Sequence, residues 1–368
     1  MKRFLSVFFI LLCVFLVIYS KEAMLAAKTG FVLWRDAVLP ALFPFFVGSG
    51  MLFKTGLFDF KQKRRGKSKR FFLPKAAIPV FLICSVSGTP SGARMSSLLL
   101  KNNSLSPEEA YRLTAICNLA SPMFITGSVS FAMLGSAAFG LPIAIGHYAG
   151  ALILLLASFF IFPPRAEPGS NAIQNAETNM WKAFTESLYD GMLGMIRIGA
   201  AIIFFMVLIR LADAAGILDK IAEPLAVLFK AAGIDPDLSF GFVTGLFEMT
   251  QGCAIVSATG ASIRMRVTIC SFLTAFGGFC VLAQSKTFLD FKTPVYVALK
   301  LLHAFIASVI TYFVMPFLPL RYEQAFVPFQ QGQWQYNAVS ALLILASAAL
   351  GFSAVSIYCV VLKRKRTI

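Results

Sequence analysis

Long apolar runs alternate with short polar segments along almost the whole chain. A helix crosses a hydrocarbon core of roughly 30 Å with about 20 residues, so the pattern predicts an all-α polytopic membrane protein with about eight transmembrane helices. The apolar runs cover residues 4–19, 31–53, 76–100, 113–134, 140–162, 192–211, 238–261, 267–284, 295–320 and 338–362.

Two of these runs are interrupted by polar residues and do not predict simple crossings. The first, 76–100, is broken by the segment 85–92, and the arms on either side would each rise only about 12 to 14 Å. The second has a first arm that ends at Phe247, followed by the polar segment 248–252. Both patterns predict re-entrant helical hairpins, at 76–100 and 238–262. Irregular backbone at that depth is tolerated where it lines a cavity, so we expect a polar site at the two breaks.

Each predicted hairpin is followed by similar features, which suggests an internal repeat. In both places a basic residue, Arg112 or Arg266, precedes a threonine-containing apolar helix that has a second break. The predicted units are an N-terminal span (1–25), repeat 1 (26–162), a polar linker (163–190), repeat 2 (191–320) and a C-terminal span with a basic tail (321–368). The predicted spans start the two repeats from opposite sides of the membrane. This is an inverted-topology repeat, which many secondary transporters use.

Composition and charge agree with a membrane protein. Hydrophobic residues make up 58% of the chain and charged residues only 14%, which excludes a large soluble catalytic domain. The net charge of +16 is concentrated in three tracts without acids, at 2–3, 61–75 and 363–366, so it does not indicate a nucleic-acid surface. The positive-inside rule places both termini and the 61–75 tract in the cytoplasm. Arg264 and Arg266 disagree with this topology, because they would lie outside.

Cysteine and histidine give no sign of a metal site or of a disulfide framework. The seven cysteines lie in apolar runs without a C-x-x-C pair, and we expect them to pack as small hydrophobic side chains. The two histidines, His147 and His303, are far apart in the sequence, and each is predicted to be a buried imidazole with satisfied hydrogen bonds. No metal and no cofactor are predicted, while coupling to H⁺ or Na⁺ stays open.

The two breaks contain the candidate substrate-binding residues. Thr89-Pro90 has the form of an N-cap followed by proline at the first helical position, so a helix should begin there and point its free N–H groups into the break. With Arg94 one turn later, this end would suit a carboxylate or a phosphate. Glu248 is a candidate proton or cation partner, or the counter-ion of Arg94. The predicted substrate-binding set is Ser87, Gly88, Thr89, Ser91, Gly92, Arg94, Asn118, Ser121, Glu248, Thr250, Gln251 and Gly252.

Structural roles compete with this interpretation. The glycines and serines of the breaks could serve close helix packing, Arg94 could snorkel or pair with an acid, and Asn118 and Ser121 could belong to a plain proline kink at Pro122. The length, polarity and repetition of the breaks favour a site.

Three segments carry a resemblance to a known family: 87–93 (SGTPSGA), 118–124 (NLASPMF) and 248–252 (EMTQG). They resemble the sporulation integral membrane proteins of endospore-forming bacteria, often labelled YlbJ or SpoVV. That family has a nucleoside-recognition Gate domain and is distantly similar to concentrative nucleoside transporters. The resemblance extends over nearly the whole chain. It implies that the protein moves dipicolinic acid across the outer forespore membrane during sporulation, which supports spore heat resistance.

The sequence therefore predicts a transporter of a small carboxylate anion in a bacterial cytoplasmic membrane, and not an enzyme. The alternatives are a transporter of nucleosides or of other small anions, an intramembrane enzyme similar to a lipid-pyrophosphate phosphatase, and a non-transporting assembly protein. The predicted partners are a small anion and the lipid bilayer, without nucleic acid. Homo-oligomers and complexes with other sporulation membrane proteins stay open.

Overall fold

The computed structural model describes residues 2–54, 77–102, 104–161 and 179–318, and every regular element in these ranges is helical. The helices are α1 (Lys2–Ile18), α2 (Ser20–Leu33), α3 (Leu39–Lys54), α4 (Ala77–Ser87), α5 (Ser91–Lys101), α6 (Pro107–Cys117), α7 (Gly140–Ile161), α8 (Met180–Ala214), α9 (Ile217–Ala231), α10 (Leu238–Phe247), α11 (Met249–Ala258), α12 (Ile263–Phe276), α13 (Gly278–Lys286) and α14 (Thr293–Val314), with π-helical segments at Trp34–Val38 and Phe124–Met133. The all-α prediction is confirmed.

Four stretches of the described residues are helical, long and apolar enough to cross a membrane. They are Ala137–Ser158, Met180–Ala214, Ile263–Lys286 and Thr293–Phe317, and a fifth arises if the bent pair of α1 and α2 is one span. The chain is thus a polytopic membrane protein, while the number of about eight spans stays a prediction. The predicted span 338–362 and the basic tracts 61–75 and 363–366 lie outside the described residues.

The first predicted hairpin corresponds to α4 and α5, which we call the first helix pair. Its break is shorter than predicted, because α4 continues to Ser87 and α5 already begins at Ser91. The prediction of Thr89 as the N-cap is wrong: Pro90 occupies that position. The physical reason is the left-handed Gly88 (φ +86°), which turns the chain so tightly that the Ser91 N–H donates to the Gly88 carbonyl at 3.0 Å.

The second predicted hairpin corresponds to α10 and α11, the second helix pair. α10 ends at Phe247 as predicted, but the break consists of Glu248 alone, and 249–252 form the first turn of α11. The break is short because Glu248 caps α11, accepting hydrogen bonds from the N–H groups of Thr250 (3.0 Å) and Gln251 (2.9 Å). The two helices pack closely, since a Cβ on Gly252 would collide with Gly245.

The helix after each pair is interrupted, as the sequence predicts. α6 ends at Cys117 before the segment 118–121, and α12 ends at Phe276 before Gly277, which has φ +82°. A long helix follows in each half, and the two long helices, α7 and α14, pack against each other where Gly146 faces Thr311. The order of elements is thus the same in both halves. The inverted topology of the repeat stays a prediction.

α8 begins at Met180, inside the range predicted as linker (163–190). Asn179 caps this helix, its side chain accepting from the Trp181 and Lys182 N–H groups, so the polar residues after it form helical turns. At 35 residues α8 is about 50 Å long, which exceeds the hydrocarbon thickness.

The two arginines that disagree with the charge rule are bound to carbonyl groups near helix ends. Arg264 donates to the Tyr312 carbonyl near the end of α14 at 2.9 Å, and its guanidinium lies 3.7 Å from the centre of the Tyr312 ring. Arg266 donates to the Ser257 carbonyl near the end of α11 at 2.8 Å. Cations are favourable at helix C-termini, so these arginines have a structural role there.

Candidate functional site

The first helix pair packs its turn directly onto the break that follows α6. A Cβ on Gly92 would lie 2.5 Å from the Cys117 carbonyl carbon and 2.6 Å from the Asn118 nitrogen. A Cβ on Gly88 would lie 3.2 Å from the Cβ of Ser121. Four of the predicted site residues therefore lie together, and glycine at 88 and 92 permits the close approach of the two breaks.

Asn118 is the centre of a buried polar network at this junction. Its Oδ1 accepts the Ala93 N–H at 3.1 Å, in the first turn of α5. Its Nδ2 donates to Ser285 Oγ on α13 at 2.6 Å and to Tyr296 Oη on α14 at 3.1 Å. The side chain thus ties both halves of the chain to the first helix pair. Because it accepts the Ala93 N–H, this N–H group of α5 is not free for a ligand, contrary to the prediction from the sequence.

The serines of the turn have free hydrogen-bonding capacity. The Oγ atoms of Ser87 and Ser91 are buried and have no hydrogen-bond partner among the described residues. Thr89 lies half-buried between them. Buried hydroxyl groups are normally hydrogen-bonded, so two unsatisfied ones at one turn are consistent with a place for a polar ligand.

Arg94 is buried, with 7% of its surface exposed, and points towards α3. Its Nη1 donates to the Phe46 carbonyl at 2.7 Å and to Ser49 Oγ at 2.6 Å, and its guanidinium lies 4.4 Å from the centre of the Phe46 ring. No carboxylate of the described residues forms an ion pair with it.

A cavity of about 360 Å³ lies between the end of α3 and the start of α8. It is lined by Lys54, Thr185, Glu186, Tyr189 and Asp190. Lys54 forms two ion pairs at this cavity, with its Nζ 2.7 Å from Glu186 Oε2 and 3.5 Å from Asp190 Oδ2. Asp190, on the wall of the cavity, is also near enough to act on the charge of Arg94.

The predicted residues of the second helix pair form a separate group. Glu248 is buried and its carboxylate caps its own helix, so the N-terminus of α11 is not free for an anion. The Gln251 side chain reaches Met206 of α8, and Thr250 is half-buried. Glu248 forms no ion pair with Arg94; the structure keeps the two charges in different surroundings.

α13 connects the two groups. Cys280 lies near Glu248, and Ser285 binds Asn118. These two positions are separated by about 7.5 Å of helical rise, so the groups are about one and a half turns apart along α13.

The buried face of α14 holds residues that the sequence analysis missed. Lys300 is fully buried, and its Nζ donates to the Asn118 carbonyl at 2.9 Å. Tyr296, Lys300, His303, Ala307 and Thr311 recur at helical spacing and all face inwards. A polar stripe at that spacing inside an apolar run was the signal available in the sequence, because a charged residue in a transmembrane segment marks a functional candidate.

The two histidines also meet in this region, although the sequence analysis treated each as isolated. Their ring centres are 4.9 Å apart where α7 crosses α14. His147 Nε2 accepts the Ala120 N–H at 3.0 Å, and His303 Nε2 lies 2.9 Å from the His147 carbonyl oxygen. His147 therefore supports the break after α6.

Comparison with curated proteins finds a relative that is similar over most of the chain. Over 331 residues the chain is 28% identical to the sporulation integral membrane protein YlbJ of Bacillus subtilis (strain 168), a match that covers 82% of this chain and 80% of the relative. The chain is thus similar to this sporulation membrane protein over most of both lengths. No family model matches it, and no solved structure matches it significantly.

The apolar helices of this chain and the printed name of the relative agree on an integral membrane protein. The resemblance seen in the sequence is thus confirmed at the level of the family, and the Gate domain stays a prediction. Chemically, the junction offers buried cations, hydroxyl groups and an amide, which are groups that bind an anion.

Proposed function

We propose that this protein is a membrane transporter of a small carboxylate anion. By its family resemblance, the substrate is dipicolinic acid, moved across the outer forespore membrane during sporulation. The substrate would bind at the junction of the first helix pair with the break after α6.

The buried guanidinium of Arg94 carries this proposal. A charge removed from water is costly unless it is paired, and among the described residues Arg94 donates hydrogen bonds to the neutral Phe46 carbonyl and Ser49 hydroxyl. A carboxylate of the substrate would supply the missing negative charge. Arginine suits this role because its planar guanidinium binds carboxylates through two parallel hydrogen bonds.

The cavity between α3 and α8 supports the proposal, because Asp190 on its wall is near enough to act on the charge of Arg94. It opens between α3 and α8, and the Lys54 ion pairs with Glu186 and Asp190 lie across it. Ion pairs at an exposed rim contribute about 0 to 1 kcal/mol, so they can open without a large cost.

Glu248 would bind the ion that is coupled to transport and would not bind the substrate. Its carboxylate is buried at the tip of the second helix pair, and an intramembrane acid is a usual partner of H⁺ or Na⁺. The choice of ion stays open.

Uptake into proteoliposomes containing the purified full-length chain tests the proposed function. We expect saturable uptake of labelled dipicolinate, with much weaker uptake of a nucleoside and of an unrelated dicarboxylate such as succinate. Absence of uptake of all three compounds, by protein shown to be folded and inserted, would contradict the proposal. Release of phosphate from lipid pyrophosphates by the same preparation would favour the enzyme alternative.

A further inference from the structure

Two consecutive side chains of α7 hold the break after α6 at a single residue, Ala120. His147 Nε2 accepts the Ala120 N–H at 3.0 Å, and Tyr148 Oη donates to the Ala120 carbonyl at 2.8 Å. Tyr148 Oη also lies 3.1 Å from the carbonyl of Ser85, in the last turn of α4. Both backbone polar groups of Ala120 are therefore held by α7, and the same helix contacts the first helix pair.

The hydrogen bond to Ala120 fixes the protonation state of His147. An imidazole nitrogen accepts a hydrogen bond only when it carries no proton, so the ring is neutral and its one proton is on Nδ1. An imidazolium carries a proton on each nitrogen and accepts no hydrogen bond. A proton added to His147 Nε2 would therefore break the bond and leave the buried Ala120 N–H without this acceptor.

His147 is also less firmly held than the sequence predicts. The ring is fully buried, but its Nδ1 has no hydrogen-bond partner among the described residues, so the prediction of satisfied hydrogen bonds is wrong for this histidine. Buried polar side-chain atoms are normally hydrogen-bonded, and an exception calls for an explanation. Since Nδ1 is unpaired, the bond from Ala120 is the ring hydrogen bond that holds this side chain in place.

Two groups of α14 act on the charge of His147. The His303 ring centre lies 4.9 Å from the His147 ring centre, and Lys300 lies one turn before His303 on the same buried face. Of the charged and titratable side chains on the helices packed against α7, these two act on His147; the Tyr148 ring of α7 itself is centred 5.2 Å away. A proton on His147 would place a second positive charge near Lys300, whose Nζ holds the Asn118 carbonyl of the same break.

We infer that His147 is a proton-binding site that controls the break after α6. In its neutral form the imidazole holds Ala120, and a proton taken from the solution onto Nε2 releases Ala120. This inference goes beyond the proposed function, because it concerns the control of the break by pH and does not depend on the substrate or on the ion that binds Glu248.

Nitrogen NMR of protein labelled at the histidine ring nitrogens tests the first step. The chain has two histidines, so a full-length preparation without a histidine tag gives two sets of ring signals, and single variants assign them. At neutral pH we expect the proton of His147 on Nδ1. We expect the proton of His303 on Nε2, since this nitrogen lies 2.9 Å from the His147 carbonyl oxygen, which can only accept. On acidification His147 Nε2 should take up a proton while the protein stays folded.

Hydrogen exchange of the segment 118–121 tests the second step. After correction for the intrinsic effect of pH, the wild-type segment should exchange about tenfold faster once His147 is protonated, as for the loss of one hydrogen bond. In His147→Gln an amide oxygen can accept in place of Nε2 without titrating, so exchange should stay slow at both pH values. His303→Gln is the matched control. It removes the other histidine, keeps a donor for the His147 carbonyl and should keep the pH dependence.

Three results would overturn the inference. The first is a neutral His147 with its proton on Nε2, and the second is a His147 that stays neutral over the whole pH range in which the protein is folded. The third is exchange of 118–121 that does not follow the protonation of His147. The wild-type measurements decide this even if His147→Gln does not fold. None of them uses transport, so absence of dipicolinate uptake would overturn the proposed function separately.

Discussion

At the scale of single residues, Asn118 connects more parts of the site than any other residue of the predicted substrate-binding set. Its side chain joins the first turn of α5, α13 and α14, and its carbonyl accepts from Lys300. The residue therefore connects Lys300, α13 and α14 to the first turn of α5.

Replacing Asn118 by leucine should uncouple the first helix pair from α13 and α14. The change removes three side-chain hydrogen bonds and leaves the Ala93 N–H and the Tyr296 hydroxyl unsatisfied, which we expect to cost about 2 to 4 kcal/mol of unfolding free energy. Chemical unfolding measures the loss, and dipicolinate uptake should fall with it. The control is Asn179→Ala, which removes the exposed cap of α8 and should cost about 1 kcal/mol with uptake retained. Equal effects of the two changes would contradict the central role of Asn118.

The sequence could indicate some of these residues and not others. Arg94, Asn118 and Glu248 were predicted because they lie in or near polar interruptions of apolar runs. Lys300 was missed because the apolar run around it has no polar interruption, although Tyr296 and His303 lie on the same helical face. Its polar neighbours in space, Asn118 and Cys117, come from another helix, and no spacing along α14 points to them.

At the scale of elements, glycine contacts determine how the helix pairs pack. In the second helix pair, Gly252 of α11 lies against Gly245 of α10 so closely that no side chain fits between them. In the first, Gly92 lies against the end of α6 instead. The two pairs therefore use their small residues for different neighbours.

Gly252→Ala should separate α10 from α11. The added methyl group would collide with Gly245 backbone atoms, which cannot rotate away, and we expect a loss of about 3 kcal/mol in unfolding free energy. Thermal unfolding in detergent checks this. Gly260→Ala is the matched control, because a Cβ there meets nothing within 4 Å. A Gly252 variant as stable as the Gly260 variant would contradict the described packing.

Element boundaries were predicted less well than the elements themselves. Polar residues showed that both apolar runs are interrupted, but they predicted breaks that are too long. With a left-handed glycine at 88, the first break needs only three residues, and with a capping carboxylate at 248, the second needs only one. A polar side chain in a first helical turn and one in a loop look alike in sequence. The carbonyl contacts of Arg264 and Arg266 were equally hidden, because their acceptors lie on other helices.

At the scale of the whole molecule, the predicted inverted repeat places the loops after the two helix pairs on opposite sides of the membrane. The loop after the first helix pair, next to Lys101, should face the cytoplasm, and the loop after the second, at Gly260, should face the opposite side. Both residues are exposed.

Single cysteines at these two positions should therefore react from opposite sides of the membrane. Lys101→Cys and Gly260→Cys are placed in a background with Cys13→Ser and Cys359→Ser; the remaining cysteines are buried. In intact cells a membrane-impermeant maleimide should label position 260 at once and position 101 only after permeabilisation. Labelling of both positions from one side would contradict the inverted topology.

The central claim is that a buried cation of the first helix pair binds a carboxylate during transport. The most direct test is dipicolinate uptake by Arg94→Gln compared with Arg210→Gln, whose arginine is exposed and pairs with Asp213 at 2.7 Å. We predict that the Arg94 variant loses uptake by about 100-fold or more, since a buried charge partner contributes about 2 to 5 kcal/mol, while the Arg210 variant keeps it. Uptake by a folded, inserted Arg94 variant that equals the wild-type rate would contradict the account.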